Sequence, residues 1–218
     1  MENKRRGLKE PFSGLSHLAG ALLSVAGLIT LLIMAQGRPR YLIAFAIYGL
    51  SLVVLYSMSA LYHSLHVAPS QEKWLQRFDY IAIFLLIAGT YTPICLITLD
   101  GAWRWGLLGG VWSLAALGIC AILFWRGHPH WIRVALYILM GWLAVAALPP
   151  LRAALPAAGI GWLIAGGLTY TIGVIFYASQ RPRLWPGVFG SHDLWHVFVL
   201  GGSVCHFIMI VRYIAPTV

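Results

Sequence analysis

Apolar runs of about twenty residues repeat along most of the chain, with short polar stretches between them. A helix needs about 20 apolar residues to cross the hydrocarbon core of a bilayer. The pattern therefore predicts seven membrane-spanning helices, at 15–36, 41–63, 78–99, 104–125, 131–149, 159–179 and 192–213. Pro93 lies inside the third of these spans and is expected to kink it.

The stretches between the runs are rich in Gly and Pro, which are typical of turns. They contain Gly37-Arg38-Pro39, Pro69-Ser70, Asp100-Gly101, Gly127-His128-Pro129, Pro149-Pro150, Arg181-Pro182 and Pro186-Gly187. We expect an all-α integral membrane bundle that forms a single domain over 15–213. A basic N-terminal segment at 1–14 and a short tail at 214–218 flank it.

Composition supports a membrane protein and argues against a soluble domain. Of the 218 residues, 60% are hydrophobic and only 10% are charged. The net charge of +9 comes from small basic groups at the ends of the apolar runs, including Lys4, Arg5, Arg6 and Lys9. This placement predicts contact with membrane lipids and no binding of nucleic acid. The cysteines Cys95, Cys120 and Cys205 lie inside apolar runs, where we expect packing roles.

The basic residues also predict the orientation of the bundle. Ten of them fall in one set of alternate loops and five in the other, and the richer set is expected on the cytoplasmic side. The ten are Lys4, Arg5, Arg6, Lys9, Lys73, Arg77, Arg126, Arg133, Arg181 and Arg183, and the five are Arg38, Arg40, Arg104, Arg152 and Arg212. The N-terminus is therefore expected in the cytoplasm and the C-terminus outside.

This topology brings several polar residues to one membrane depth. His63 ends the second span, Asp79 begins the third, and His192 and His196 lie in the first turns of the seventh. A spacing of four residues places two imidazoles on one helix face, with Cβ atoms about 5–6 Å apart. Three neutral imidazoles plus a water make an open zinc site of the catalytic type.

Two further residues have predicted roles beside the three metal ligands. Asp79 is expected to orient the zinc-bound water as a general base, or to accept a hydrogen bond from it. Ser59 lies one turn before His63 and is predicted to hold an imidazole or a substrate oxygen. Asp193 is an alternative base, and its other interpretation is a favourable charge at a helix N-terminus.

The remaining histidines are expected to lie outside the metal site. His17 either supports the site or packs in the first helix. His206 lies some 15 Å along its helix from His196, so it cannot join the site; it is expected to bond Ser203 or a neighbouring helix, or to line an outer cavity. His66, His128 and His130 are expected in loops or turns.

Three sequence segments in combination resemble the haemolysin III family, the bacterial branch of the progestin and adipoQ receptors. The segments are Ser59-Ala-Leu-Tyr-His63, Phe78-Asp79-Tyr80 followed by Leu86-Ile-Ala-Gly-Thr-Tyr-Thr-Pro93, and Ser191-His192-Asp-Leu-Trp-His196. The resemblance implies seven helices, an inside N-terminus and zinc bound by His63, His192 and His196, with Asp79 bound to the zinc water. Wider relatives include the alkaline ceramidases, which implies hydrolysis of a lipid amide or ester.

Three functions remain open from the sequence. The first is a Zn²⁺-dependent hydrolase with a lipid or fatty-acyl substrate, with zinc-bound water as nucleophile, in the bacterial cytoplasmic membrane. The second is a sensor or receptor of membrane state in which the zinc is structural. The third, suggested by the family's name, is a cytolytic pore, but no line of charged residues through the spans marks an aqueous path.

Overall fold

Helices form nearly all of the protein, because a chain in a bilayer must satisfy its backbone hydrogen bonds within the spanning segment. The structure, a computed structural model, describes residues 7–125, 127, 129–182, 184–185 and 189–217. Eight α-helices follow one another in this part of the chain: α1 Pro11–Met34, α2 Pro39–Ser64, α3 Pro69–Pro93, α4 Gly101–Phe124, α5 His130–Trp142, α6 Leu148–Ala154, α7 Ala157–Ser179 and α8 Ser191–Met209.

Six of the eight helices are long and apolar enough to cross a membrane, and α5 and α6 together supply a bent seventh span. A 3₁₀ turn at Leu143–Val145 separates α5 from α6, and the pair is bent by 52°. Counting this pair as one span confirms the predicted all-α membrane bundle of seven spans. The orientation of the bundle in the membrane stays a prediction.

Tyr91 of α3 stabilises the break in the fifth span. Its hydroxyl donates a hydrogen bond to the Met140 carbonyl and accepts one from the Ala144 N–H, both at 2.8 Å. The Met140 carbonyl also accepts the Leu143 N–H within the helix, and the Ala144 N–H belongs to the 3₁₀ turn. The Tyr91 hydroxyl therefore bonds backbone groups on both sides of the end of α5.

One pair of prolines does not separate two spans as the sequence predicted, whereas Pro93 does distort its helix. Pro149 and Pro150, predicted to separate two spans, instead lie in the first turn of α6, where a proline lacks only an N–H that has no helical partner. After Pro93, the α-helix gives way to a π-helical turn at Ile94–Thr98, since proline removes a helical hydrogen bond.

The third helix begins nine residues before the predicted span, so the predicted loop at 64–77 was too long. Pro69 occupies the first turn, and the Gln71 side chain accepts a hydrogen bond from the Ala68 N–H at 3.2 Å. Both features favour a helix start at this point. The connection between α2 and α3 is therefore only 65–68.

Small residues let the helices approach closely. Helix α1 packs along α2, α2 along α3, α3 along α4, and α7 along α8. In α4, a Cβ on Gly118 would come within 2.2 Å of the ring of Phe84, which is fully buried. On the same helix, a Cβ on Gly110 would meet no atom within 4 Å.

We expect Gly118→Ala to destabilise the bundle, because the added methyl group overlaps the Phe84 ring and overpacking costs about 1–3 kcal/mol. Gly110→Ala is the matched control and should keep wild-type stability. The measurement is thermal unfolding of the detergent-purified variants. Equal midpoints for the two variants would contradict this packing of α3 against α4.

Candidate metal centre

Three histidine rings meet at one end of the bundle. His63 lies in the last turn of α2, and His192 and His196 lie in the first two turns of α8. One ring nitrogen from each histidine lies within 4.8 Å of the others. The Nε2 atoms of His63 and His192 are 3.5 Å apart, and those of His192 and His196 are 3.2 Å apart. The three histidines can therefore form a metal site.

The spacing of these nitrogens suits a tetrahedral metal ion. Zn–N bonds of about 2.0–2.1 Å at tetrahedral angles put two ligand nitrogens about 3.3–3.4 Å apart. Both of these Nε2 separations lie close to that value. His63 and His196 are each only 2% exposed, so water does not surround the rings. The residues present therefore fit a zinc ion.

Glu10, just before α1, fixes the orientation of the His63 ring. The Nδ1 of His63 lies 2.5 Å from a carboxylate oxygen of Glu10. This hydrogen bond outweighs partial burial and lowers the pKa of the Glu10 carboxyl, so the group is an ionised acceptor at neutral pH. Because Nδ1–H must donate to it, Nε2 keeps its lone pair for a metal.

Sequence reasoning missed Glu10 as a site residue. Its position before a helix carries no spacing signal, and its partner His63 lies 53 residues further along the chain.

Asp79 and Ser59 line a small cavity of about 30 Å³ beside the histidines. His17, His192 and His196 line the same cavity. The Ser59 hydroxyl lies close enough to Asp79 to influence its carboxyl group, and Asp79 interacts electrostatically with His63. The structure thus places Ser59 and Asp79 next to the three predicted ligands, and their chemical roles stay predictions.

A buried arginine from α5 lies on the same cavity. Arg133 is 6% exposed, and its guanidinium stacks over the Tyr80 ring at 3.5 Å from the centroid. One of its nitrogens donates to the Tyr177 hydroxyl at 3.4 Å. Among the described residues, no carboxylate lies within ion-pair distance of it. Asp79 acts on it only at longer range.

Asp193 is occupied elsewhere and does not line the cavity. One of its carboxylate oxygens accepts a hydrogen bond from the Ser13 hydroxyl at 2.8 Å. The other accepts one from the Gly190 N–H at 2.9 Å, which caps the start of α8. The geometry favours the helix-terminus interpretation of Asp193 over the alternative that it is the base.

The other described histidines lie outside the three-histidine cluster, but His130 is the first residue of α5 and not part of a turn as predicted. His17 is buried and stacks on His196. His206 lies against the Leu163 carbonyl of α7 at 3.3 Å. His66 is exposed in the α2–α3 connection, and His130 hydrogen-bonds the Tyr177 hydroxyl at 2.8 Å.

The histidine His128 lies outside the described residues, as do Lys4, Arg5 and Arg6. Lys9 is described, and it pairs with Glu72 at 2.6 Å and lies over the Tyr62 ring. Its ammonium thus contacts two protein groups, and the predicted contact of the basic N-terminal segment with lipid headgroups stays a prediction.

A larger apolar cavity of about 320 Å³ adjoins the small one. The volume lies at the lower end of the range typical of ligand pockets. It extends between α3, α5, α7 and α8 as far as His206. Both cavities are lined by Leu55, Ile83, Tyr137, Trp195 and Val199.

Comparison with known proteins finds relatives over nearly the whole chain. Residues 6–207 match the family described as Haemolysin-III related. The chain is 41% identical over 211 residues to Hemolysin-3 of Bacillus cereus, covering 96% of this chain and 93% of that protein. It is 38% identical to the Hemolysin-3 homolog of Bacillus subtilis (strain 168), covering 94% of each.

A more distant relative is the human monocyte to macrophage differentiation factor. It is 24% identical over 177 residues, which cover 78% of this chain and 71% of that protein. The human relative is consistent with the wider superfamily that the sequence motifs indicated. The chain is a multi-pass membrane protein and belongs to the haemolysin III family, within the progestin and adipoQ receptor superfamily.

Proposed function

We propose that this protein is a zinc-dependent membrane hydrolase that cleaves the amide or ester bond of a lipid. One observation carries the proposal. A cluster of three histidines with a carboxylate beside it lies at a small cavity that adjoins a larger apolar cavity. We place the enzyme in the bacterial cytoplasmic membrane, with its site at the inner leaflet.

The two adjoining cavities suit the two parts of a lipid substrate. The large cavity is lined mostly by aliphatic and aromatic side chains, so an acyl chain can pass into it from the bilayer hydrocarbon without exposing apolar surface to polar groups. The small cavity presents Asp79, His192 and His196. A carbonyl group at the head of the acyl chain would lie among these polar groups.

The polar side chains of the small cavity have separable roles in hydrolysis. His63, His192 and His196 would hold a zinc ion, which when bound would supply a Lewis acid for the activation of water and of a carbonyl group. Asp79 accepts a proton from the attacking water and later returns it to the leaving group. Ser59 lies near the Asp79 carboxyl group, and a hydrogen bond from its hydroxyl would keep that group in one orientation.

Arg133 supplies positive charge opposite the developing oxyanion. Its guanidinium is buried, and Tyr80 and Tyr177 hold its plane. A buried guanidinium without an adjacent carboxylate can bind the negative charge that forms on a carbonyl oxygen during attack. Fixed charges of this kind act strongly because little water screens them.

The first test concerns the metal. Purified wild-type protein should hold about one zinc ion per chain. His192→Ala should lose most of it, since one of three nitrogen ligands is removed, whereas His66→Ala, a matched control in the α2–α3 connection, should keep it. Elemental analysis of both variants after gel filtration measures this. Zinc absent from the wild type would overturn the proposal.

The second test separates catalysis from a structural or sensing role of the metal. Asp79→Asn should keep the zinc and lower the rate of fatty-acid release about 10²- to 10⁴-fold, because a general base is lost. Asp100→Asn, at an exposed position, is the control and should be silent. Release is followed by mass spectrometry over ceramide, N-acyl and glycerolipid substrates.

If Asp79→Asn is as active as wild type, or if zinc-loaded wild type releases no fatty acid from any of these lipids, the hydrolase proposal fails. The second outcome, combined with lower thermal stability on loss of zinc, would indicate the sensor or receptor with a structural metal.

The third test concerns the acyl cavity. Gly167 of α7 lines it and leaves open space for a side chain. Gly167→Leu should lower hydrolysis of long-chain substrates about tenfold relative to short-chain ones, since the side chain takes up cavity volume. Gly161→Leu, on the same helix but away from the cavity, should keep the wild-type preference. An unchanged chain-length profile in Gly167→Leu would exclude this cavity as the acyl site.

A further inference from the structure

Glu10, just before α1, and one face of α1 itself are polar where they meet the three-histidine cluster. Glu10, Ser13 and His17 are spaced by three and four residues, which places them on one side of a helix. The side chains of Ser13 and His17 are buried, and Glu10 hydrogen-bonds a buried ring. Each of the three contacts a different component of the site.

Glu10 hydrogen-bonds His63, the metal-ligand candidate on α2. Its carboxylate accepts the Nδ1–H of His63 at 2.5 Å, which fixes both the tautomer and the plane of that ring. Carboxylates in this position raise the basicity of a metal-bound imidazole.

Ser13 acts on the start of α8. Its hydroxyl donates to Asp193 at 2.8 Å, and Asp193 also accepts the Gly190 N–H. This links α1 to the first turn of the helix that carries His192. The position of that turn decides where the two α8 ligands lie.

His17 stacks on His196, the second metal-ligand candidate on α8. Its ring stacks on that of His196, with centroids 3.9 Å apart and planes inclined by 26°. His17 is 3% exposed, and neither ring nitrogen makes a hydrogen bond of normal geometry with a described residue. Its contribution to the site is therefore a flat surface that restricts rotation of the His196 ring.

Contacts of Lys9, Glu10 and Gly14 hold the start of α1 in place. The Glu10 N–H donates to the His63 carbonyl at 2.8 Å and the Lys9 N–H donates to the Ser64 carbonyl at 3.3 Å. The Lys9 ammonium pairs with Glu72 of α3 at 2.6 Å. Gly14 lies so close to Ser64 that a Cβ would come within 2.4 Å of its hydroxyl oxygen. The start of α1 is thus tied to α2 and α3.

We infer that Glu10, Ser13 and His17 are positioning residues that pre-organise the three metal ligands from outside the coordination sphere. The inference rests on the metal binding in the proposed function and not on hydrolysis. Helix α1, which supplies none of the three ligands, would thereby set the metal affinity of the site.

Metal affinity tests this inference without any reference to activity. The Zn²⁺ dissociation constant of the full-length protein in detergent is measured by competition with a chromophoric chelator. Glu10→Ala should weaken binding about 10- to 100-fold, and Glu10→Gln, which keeps a hydrogen-bond acceptor, should weaken it less. Ser13→Ala should weaken binding in the same direction.

The His17 variants distinguish a stacking surface from a fourth ligand. His17→Ala should weaken Zn²⁺ binding, and His17→Phe, which keeps a flat ring, should restore most of the affinity. If His17→Phe is as weak as His17→Ala, stacking is not the role of His17 and that part of the inference is overturned.

Two control variants distinguish a specific effect of the polar α1 face from a general loss of structure. Ser16→Ala changes a hydroxyl that bonds only its own helix, and His66→Ala changes an exposed loop histidine; both should keep wild-type affinity. Thermal unfolding of the metal-free variants shows how far each one is destabilised, and affinity that is lost only in step with a lowered midpoint, without recovery in Glu10→Gln or His17→Phe, would indicate a merely structural role. Wild-type affinity in Glu10→Ala and Ser13→Ala would overturn the inference. A wild type without zinc is a failure of the proposed function.

Discussion

Helices in a bilayer have no water with which to satisfy buried polar side chains, so those side chains must find each other. In this protein they meet mainly at one end of the bundle, where α1, α2, α3, α5 and α8 converge on the histidine cluster and its small cavity. The close helix packing around Gly14 and the bond between Ser13 and Asp193 are consequences of that meeting. The apolar remainder of the bundle encloses the larger cavity.

The hydrogen bond to Glu10 is one reason why the histidine cluster suits a cation. The Nδ1–H of His63 donates to the Glu10 carboxylate, which leaves a lone pair on Nε2 of the neutral ring, and the Nε2 of His192 lies 3.5 Å away. The Nε2 of His196 lies 3.2 Å from that of His192, so three neutral rings can direct their lone pairs towards one point. A divalent metal ion bound there would accept all three.

Apolar run length predicted the spans, and the i, i+4 spacing predicted the approach of His192 to His196, because both depend on local geometry. The break in the fifth span was not predictable, since the sequence stays apolar through 143–147 and the stabilising hydroxyl comes from Tyr91 on another helix. Glu10 and the stacking of His17 were missed for the same reason. Their partners are distant in sequence, and no periodicity marks them.

The number of ligands bears on whether the metal is structural or catalytic. Structural zinc sites are usually closed by four protein ligands, whereas catalytic sites keep one position open. Among the described residues, three histidine nitrogens converge and Asp79 lies across a cavity of about 30 Å³, which is enough room for a water molecule. The proposed open position beside Asp79, with an apolar cavity next to it, is the reason to propose hydrolysis ahead of a purely bracing role. The start of α1 is fixed at the same end of the bundle, so the proposed site would depend on a helix that supplies none of its three ligands.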